Sequence, residues 1–443
     1  MKRSFIEFFK REYQAELEVN SRWRLNSSVD QMTGIDVSGS SKLNGAQTEK
    51  LRGLIRELRP KILRIRGNDA DTQGWLRFCR EEMICPHLCF ACDEAPAEAG
   101  KAAAACREGF SASDIWEPKR FYEVMPELSL TGGDSAGTMA EQMRNLAGAV
   151  RAADPEGTLI LGGLFPSGSQ RMRAEAWNRL LTEVCGDVMD LLGVSLFPDP
   201  VNGRAWDEDA DGIEAASALA EEVGAGLMRL KQQLPEGMRA AVTGWSFLRD
   251  GSPQLRQHGI YYAAVQKALR KAADWIPVAE AGPLFDTGGL MCLEADALFG
   301  NVLYHSLKLA VSDLPIVLDV REREAGKAVP VYHWEGLPGS FDGKEIRLAD
   351  AYASASSDGK RIFLMLSNLS PYRRAVLRIR FTDFPNMHPI EARVLRSKKR
   401  LDGNDAAEPE RVFCKEVKLR NYRKMDHVNL DIPECSMVCM LLE

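Results

Sequence analysis

The stretch FYEVMPELSL, Phe121–Leu130, decides the fold of this chain. Its first five residues are apolar or β-prone apart from Glu123, which is typical of a buried strand. Glu127 follows directly, and a loop and a long helical pattern come after it. The stretch therefore predicts a parallel strand that carries Glu127 at its carboxyl end.

Strands and helices alternate on both sides of this stretch. Seven apolar runs, separated by helical patterns, are predicted to be strands: Lys61–Gly67, Met83–Asp93, Phe121–Glu127, Leu159–Pro166, Asp190–Pro198, Ala240–Phe247 and Ile276–Phe285. An earlier run, Met32–Val37, is the candidate for an additional first strand. Strands that alternate with helices of this length indicate βα units, so the sequence predicts an α/β fold with a (β/α)8 barrel.

The pattern changes after about Leu314. Short alternating runs follow, among them Arg361–Asn368, Ala375–Phe381 and Ser436–Glu443, and turn signals such as Asp358-Gly359 separate them. This pattern predicts an antiparallel β-sandwich. We therefore divide the chain into a barrel over residues 26–313 and a C-terminal sandwich over 314–443.

Residues 1–25 are predicted to form an amphipathic helix. Glu7, Lys10, Arg11 and Glu12 interrupt its apolar residues, so it lacks the continuous apolar core of a signal peptide. No apolar run reaches the length that a membrane span needs, and a cytoplasmic location is expected. The net charge of −6 over 443 residues gives no case for nucleic acid or an anionic membrane as a partner.

Three cysteines, Cys85, Cys89 and Cys92, have the spacing C-x3-C-x2-C that also occurs in some iron–sulfur enzymes. They lie in an apolar run, however, and a strand would turn Cys89 and Cys92 to opposite faces. We expect reduced thiols without a metal, since free cysteine commonly fills protein cores. The sequence also lacks a glycine-rich phosphate-binding motif, so we expect neither a metal nor an organic cofactor.

The residues around Glu127 resemble the fourth barrel strand of the retaining glycosidases of clan A, whose motif runs roughly F-E-V-W-N-E-P-N-L. Asp350–Asn368 and Leu430–Leu442 resemble the opening and the last strand of the C-terminal domain in the arabinofuranosidase, β-xylosidase and heparanase-like families. The resemblance implies a carbohydrate or glycoside as partner. It also implies that Glu127 is the general acid, although Pro126 replaces the Asn of the motif.

The second carboxylate of that family is missing. Retaining hydrolysis needs two carboxyl groups about 5–5.5 Å apart, one of which attacks the sugar. The family carries this nucleophile on strand seven, in a motif like T-E-W, where the present sequence has Thr243, Gly244 and Trp245. Because glycine cannot form a covalent intermediate, the resemblance implies that ordinary retaining hydrolysis is lost.

Other positions of the resemblance are partly kept. Arg64 stands where the family has an arginine that holds the nucleophile; here it could bind an anion or pair with another carboxylate. Ser195 and Phe197 replace a His and a Tyr of strand six. The predicted substrate-binding residues are Arg64, Asp93, Phe197, Trp245 and Asp286.

Three functions remain open from the sequence. The chain is predicted to be a noncatalytic glycosidase homologue that binds a carbohydrate. Alternatively, it is an inverting hydrolase in which Glu127 is the acid and Asp199, Asp250 or Asp286 is a relocated base, about 6.5–9.5 Å away. A structural or protein-interaction scaffold is the third possibility, and a homo-oligomer is compatible with each.

Overall fold

The computed structural model describes residues 12–25, 31–67, 69–111, 116–128, 135–197, 211–246, 254–285, 288–294, 296–311, 314–323, 327–333, 345–384, 387–417 and 427–443. No helix within these ranges is long and apolar enough to cross a membrane.

The described part of the chain begins with a strand of the C-terminal sheet, β1 (Glu12–Arg24), and then builds a closed barrel of eight parallel strands. The barrel strands are β2 (Met32–Asp36), β3 (Ile62–Arg66), β4 (Cys85–Ala91), β5 (Phe121–Met125), β6 (Thr158–Gly162), β7 (Leu191–Leu196), β8 (Arg239–Trp245) and β9 (Val278–Ala281). The last strand pairs with the first, Met32 opposite Val278, which closes the barrel. The predicted barrel is thus confirmed, and the run at Met32–Val37 supplies its first strand.

Helices pack around the barrel between its strands. They are α1 (Gly45–Leu58), α2 (Thr72–Glu81), α3 (Pro96–Ser111), α4 (Ser135–Ala153), α5 (Arg171–Cys185), α6 (Asp211–Gln233), α7 (Gly259–Lys271) and α8 (Val302–Leu309). Local sequence fixes the start of α1: the Asn44 side chain accepts a hydrogen bond from the Gln47 backbone N–H, and the Gln47 side chain accepts one from the Asn44 backbone N–H, which forms a capping box. The sequence reading did not include α8, which follows a hairpin of β10 (Met291–Glu294) and β11 (Ala297–Gly300).

Alternation along the barrel strands separates two sets of side chains. The apolar residues of one set point outward and pack under the helices. The other set points into the barrel, and its lowest layer is apolar: Ile62, Cys85, Phe121, Ile160, Leu191, Ala241 and Val278. This layer closes the amino end of the barrel, as expected for a fold whose interior is a packed core.

The C-terminal domain is a nine-stranded sheet in the order β19-β18-β21-β16-β15-β12-β1-β17-β20. Its strands after the barrel are β12 (Ile316–Glu322), β15 (Ala349–Ala355), β16 (Ile362–Asn368), β17 (Arg374–Thr382), β18 (Pro389–Arg396), β19 (Phe413–Glu416), β20 (His427–Ile432) and β21 (Ser436–Leu442), and a separate hairpin joins β13 (Val331–His333) to β14 (Glu345–Arg347). All pairs in the large sheet are antiparallel except β1 with β17. The predicted sandwich is confirmed, with one parallel pair added.

The predicted helix over residues 1–25 is wrong for Glu12–Arg24, which form β1. Tyr13, Ala15, Leu17 and Val19 are buried and alternate with more exposed charged or polar residues, which is the period of a strand. Residues 1–11 lie outside the described part of the chain. Glu12–Arg24 therefore belong to the C-terminal sheet, which combines strands from before and after the barrel.

Candidate functional site

Glu127 and Gly244 lie at the same end of the barrel. Glu127 follows β5 by two residues and is exposed, and Gly244 is the penultimate residue of β8. Because the barrel strands are parallel, both residues are at the carboxyl end, where active sites of this fold are found.

A bulge between β7 and β8 turns Gly244 toward the inside of the barrel. Val242 pairs with Val194 and Gly244 with Ser195, so Thr243 is an extra residue on its strand. Thr243 points inward, and its hydroxyl donates to Glu123 at 2.7 Å. A Cβ on Gly244 would lie 3.6 Å from Ser195 Oγ and 3.2 Å from Phe197 Cζ. Gly244 thus faces Ser195 and Phe197 at the barrel mouth.

Trp245 points the other way. Its side chain is 3% exposed, and its ring lies 6.4 Å from that of Tyr262 on α7. The bulge places Trp245 on the outer face of the barrel wall, away from the mouth that Gly244 faces.

Arg64 pairs with two carboxylates inside the barrel. Its guanidinium lies 2.6 Å from the Asp36 carboxylate and 2.7 Å from that of Glu123, and it also contacts the sulfur of Met125. Arg64 is 8% exposed, Asp36 7% and Glu123 2%. Of the two roles that the sequence left open for Arg64, the structure shows the pairing with other carboxylates.

A second buried pair lies beside the first. His87 Nδ1 is 2.9 Å from both carboxyl oxygens of Glu280, and His87 Nε2 is 3.7 Å from Glu123. Burial lowers the pKa of His87 to about 4, although the negative charge of Glu123 acts to raise it. Burial also raises the pKa of Glu280 well above its usual range. We infer a neutral pair in which the protonated Glu280 donates to His87 Nδ1.

Two glycines make room for these groups. A Cβ on Gly34 would lie 2.7 Å from Glu280 Cγ, closer than real side chains approach. A Cβ on Gly193 would lie 2.8 Å from a methyl group of Ile160 and 3.4 Å from Glu123 Oε1. Glycine residues on some strands therefore leave the space that long ionisable side chains on other strands fill. In this way the barrel interior holds polar groups and is still closely packed.

The Glu280–His87 pair predicts a pH dependence of stability. The folded chain keeps the Glu280 proton, which the unfolded chain releases above pH 4.5, so the free energy of unfolding falls as pH rises from there. His87 acts oppositely between pH 6.5 and about 4, since only the unfolded chain is protonated there. Above pH 6.5 only the Glu280 effect of this pair remains, so the free energy of unfolding should fall as the pH rises further.

Urea unfolding at several pH values in that range measures the fall. The Glu280→Gln variant, which keeps the shape of the side chain but carries no titrating proton, should have a flatter profile. Glu156→Gln, at an exposed residue, is the control and should keep the wild-type slope. Equal slopes in wild type and Glu280→Gln would show that Glu280 is ionised in the folded chain.

Of the remaining predicted site residues, some lie at the barrel mouth and others fall outside the described part of the chain. Phe197 is half-buried beside Gly244, and Asp93 is exposed in the turn after β4. Asp286, together with Asp199 and Asp250, lies outside the described residues. Glu127, Gly244 and Phe197 thus share the carboxyl end of the barrel, whereas Arg64 lies deeper and Trp245 lies outside the wall.

The cysteines of β4 also occupy separate environments. Cys89 lies inside the barrel, 3.8 Å from the Ser38 hydroxyl, and burial raises the pKa of its thiol to about 12. Cys92 packs in the larger core between barrel and helices, near the Glu127 backbone. Within the described ranges, no three His, Cys, Asp or Glu residues are grouped so that they could hold a metal ion.

Four buried ionisable residues, Asp36, His87, Glu123 and Glu280, were not identified from the sequence. Each stands at an inward position of its predicted strand, because an even number of residues separates it from an inward-facing apolar residue of the same strand. The signal was therefore present in the alternation, since a charged residue at an inward strand position must find a partner.

Comparison with known proteins identifies the fold. No family model matches the sequence, and no curated protein matches it. Among solved structures, the family 51 arabinofuranosidase from Xanthomonas axonopodis pv. citri has a TM-score of 0.74 at 15% identity, and 98% of this chain and 100% of that chain are covered. The α-L-arabinofuranosidase from Thermotoga maritima, solved as an arabinose complex, has a TM-score of 0.70 at 15% identity, with 96% and 99% covered.

A xyloglucanase of family 44 from Paenibacillus polymyxa is also similar, with a TM-score of 0.63, 12% identity and coverage of 97% and 99%. These similarities extend over both domains, so the resemblance to clan A glycosidases read from the sequence is confirmed for the whole architecture. At such low identity, they establish the fold, and the chemistry must be argued from the site itself.

Proposed function

We propose that this chain is a carbohydrate-binding protein on the arabinofuranosidase scaffold that does not perform retaining hydrolysis. The observation that carries the proposal is the inward direction of Gly244 at the barrel mouth, beside Ser195 and Phe197. A side chain at this position would reach into the mouth, and glycine supplies none. Glu127 lies at the same end of the barrel and is the candidate general acid.

The pairing of Arg64 supports this proposal. In the family that the sequence resembles, the corresponding arginine holds the nucleophile. Here the guanidinium is neutralised from within the barrel by Asp36 and Glu123. Glu123 cannot replace the nucleophile as it stands, because its carboxylate is buried and bound by Arg64 and Thr243. The barrel mouth thus has no nucleophilic carboxylate at Gly244, and Arg64, which would hold one, pairs with Asp36 and Glu123 instead.

The exposed polar residues at this end of the barrel favour binding over a purely structural role. Ser195, Glu127 and Asp93 are exposed there, and the half-buried ring of Phe197 offers an apolar face of the kind on which sugars stack. Several of the similar structures are arabinofuranosidases, and two of them were solved with arabinose. We propose a pentose or a short pentose-containing oligosaccharide as the ligand.

A blocking substitution tests binding at the mouth. Ser195→Phe places a large ring against Gly244 and should weaken the binding of arabinose or arabino-oligosaccharides at least ~10-fold, since about 1.4 kcal/mol of lost contact suffices. Glu236→Phe adds the same ring at an exposed residue before β8, at the amino end, and should bind normally.

Isothermal titration calorimetry of wild type and both variants gives the affinities. Equal affinities in all three would place any sugar site elsewhere on the molecule. If the wild type binds none of the sugars, the scaffold function is favoured.

A further inference from the structure

A group of cationic and amide side chains lies where the barrel packs against the C-terminal domain. Arg256 and Gln257 belong to a short 3₁₀ turn that directly precedes α7. Their backbone N–H groups donate to carbonyl oxygens of the loop after β18, Arg256 to Asp402 at 2.8 Å and Gln257 to Arg400 at 3.2 Å. These hydrogen bonds hold a turn of the barrel against a loop of the other domain.

The guanidinium of Arg256 is buried with few partners. Arg256 is 2% exposed, and its Nε and Nη2 have no hydrogen-bond acceptor among the described residues. Its ion-pair partner in that part of the chain is the partly exposed Glu434, with 3.5 Å between Nη2 and the carboxylate oxygen. A buried cation normally has its donors satisfied, because it has lost its hydration. Arg256 therefore has more buried donors than its one counter-ion uses.

Gln257 and Arg400 add further donors. Gln257 is 1% exposed; its Oε1 accepts from Arg400 Nη1 at 2.7 Å, whereas its Nε2 has no acceptor among the described residues. Arg400 is half-buried and forms no ion pair with a described carboxylate. Burial raises the pKa of the Cys435 thiol to about 12, and the charges of Arg400 and Arg256 act to lower it. Both guanidinium groups thus lie near the same thiol.

Positive charge exceeds negative charge in this group. Two guanidinium groups share one carboxylate, that of Glu434, and the exposed Lys398 and Lys399 follow β18 on the same loop. The nearby Asp402 carboxylate accepts a hydrogen bond from the Lys399 backbone N–H. Arginine binds both carboxylates and phosphates through paired hydrogen bonds. A phosphate has at least three acceptor oxygens, so it can serve two guanidinium groups and an amide at once.

We propose that this group binds a phosphate, either as the free ion or as a phosphate monoester. Its oxygens accept hydrogen bonds from Arg256, from Gln257 Nε2 and from Arg400, and they supply the negative charge that the buried guanidinium lacks. Arg256 and Gln257 belong to the barrel and Arg400 to the C-terminal domain, so the bound phosphate connects the two domains. None of these residues belongs to the proposed sugar site, and the two kinds of binding are tested separately.

Inorganic phosphate and methyl phosphate are the probes, at constant ionic strength with chloride as the background anion. Isothermal titration calorimetry should show saturable binding of one phosphate per chain. Arg400→Gln should weaken it at least ~10-fold, because a charge-assisted contact is removed. Lys398→Gln removes the same charge from an exposed residue of the same loop and should bind nearly as the wild type does. Binding of both probes indicates a phosphate ester as ligand, and binding of inorganic phosphate alone indicates the free ion.

Phosphate should also raise the free energy of unfolding, since it binds the folded chain. Arg256→Met leaves the partly exposed Glu434 carboxylate in contact with water, so this variant should fold, and phosphate should no longer shift its urea midpoint. Absence of saturable phosphate binding to the wild type would overturn the proposal. Equal weakening by Arg400→Gln and Lys398→Gln would do so as well, because it would show general attraction to a basic loop. An unchanged shift in Arg256→Met would place the phosphate elsewhere.

Discussion

Replacing Arg64 with methionine should lower the free energy of unfolding by about 3–5 kcal/mol. The substitution keeps a long unbranched side chain, but it leaves the carboxylates of Asp36 and Glu123 buried without their cation. Removing one partner of a buried ion pair is costly because the remaining charge has neither water nor a counter-ion. This is a large fraction of the stability of an ordinary domain, about 5–15 kcal/mol.

The loss should depend on Glu123, whose carboxylate is bound by Arg64. The double variant Arg64→Met/Glu123→Gln should recover part of the loss. Arg66→Met, at an exposed residue two positions along the same strand, is the control and should change stability by less than about 0.5 kcal/mol.

Urea unfolding of the four proteins gives these values. If Arg64→Met is as stable as Arg66→Met, the carboxylates inside the barrel are protonated or hydrated, and the proposed charge pairing is incorrect.

The architecture could be predicted from the sequence because the barrel strands are long apolar runs. Each lies between helical patterns, and the signal of a buried parallel strand is strong and local. Glu12–Arg24 was misread as a helix although its apolar residues alternate with the period of a strand, and only the partners of that strand are distant in sequence. Tyr13 donates hydrogen bonds to the Leu348 carbonyl and to Asn368, more than 300 residues away, and β1 pairs with β17. No local pattern could predict those partners.

The site could be predicted only in part, because its decisive features are geometric. The sequence placed Glu127 and Gly244 on strands four and seven. It did not show the bulge at Thr243, which turns Gly244 inward and Trp245 outward. It also could not show that Arg64 is paired with Glu123, since both residues stand on different strands and meet only inside the closed barrel.

Aryl arabinofuranosides should be hydrolysed very slowly by this chain, if at all. General acid help from Glu127 alone supplies about 10²–10⁴-fold acceleration, whereas enzymes of ordinary efficiency reach about 10⁶–10¹⁷-fold. Gly244→Glu should not restore retaining hydrolysis by itself. Its Cβ would lie 3.2 Å from the Phe197 ring, and Arg64 is already bound to Asp36 and Glu123. The hydrolysis rate should thus be many orders of magnitude below that of an ordinary enzyme, and one added carboxylate should not restore it.

The central claim is that the mouth of the barrel lacks a nucleophile. The measurement that tests it most directly is rapid-mixing hydrolysis of an activated aryl α-L-arabinofuranoside, followed by intact-protein mass spectrometry. We predict no burst of phenol and no covalent glycosyl adduct, and the Glu127→Gln variant should behave in the same way. A stoichiometric burst, a sugar adduct on a carboxylate of the chain, and turnover at about 1–10³ s⁻¹ would contradict the claim. They would show that a residue of this chain acts as the nucleophile.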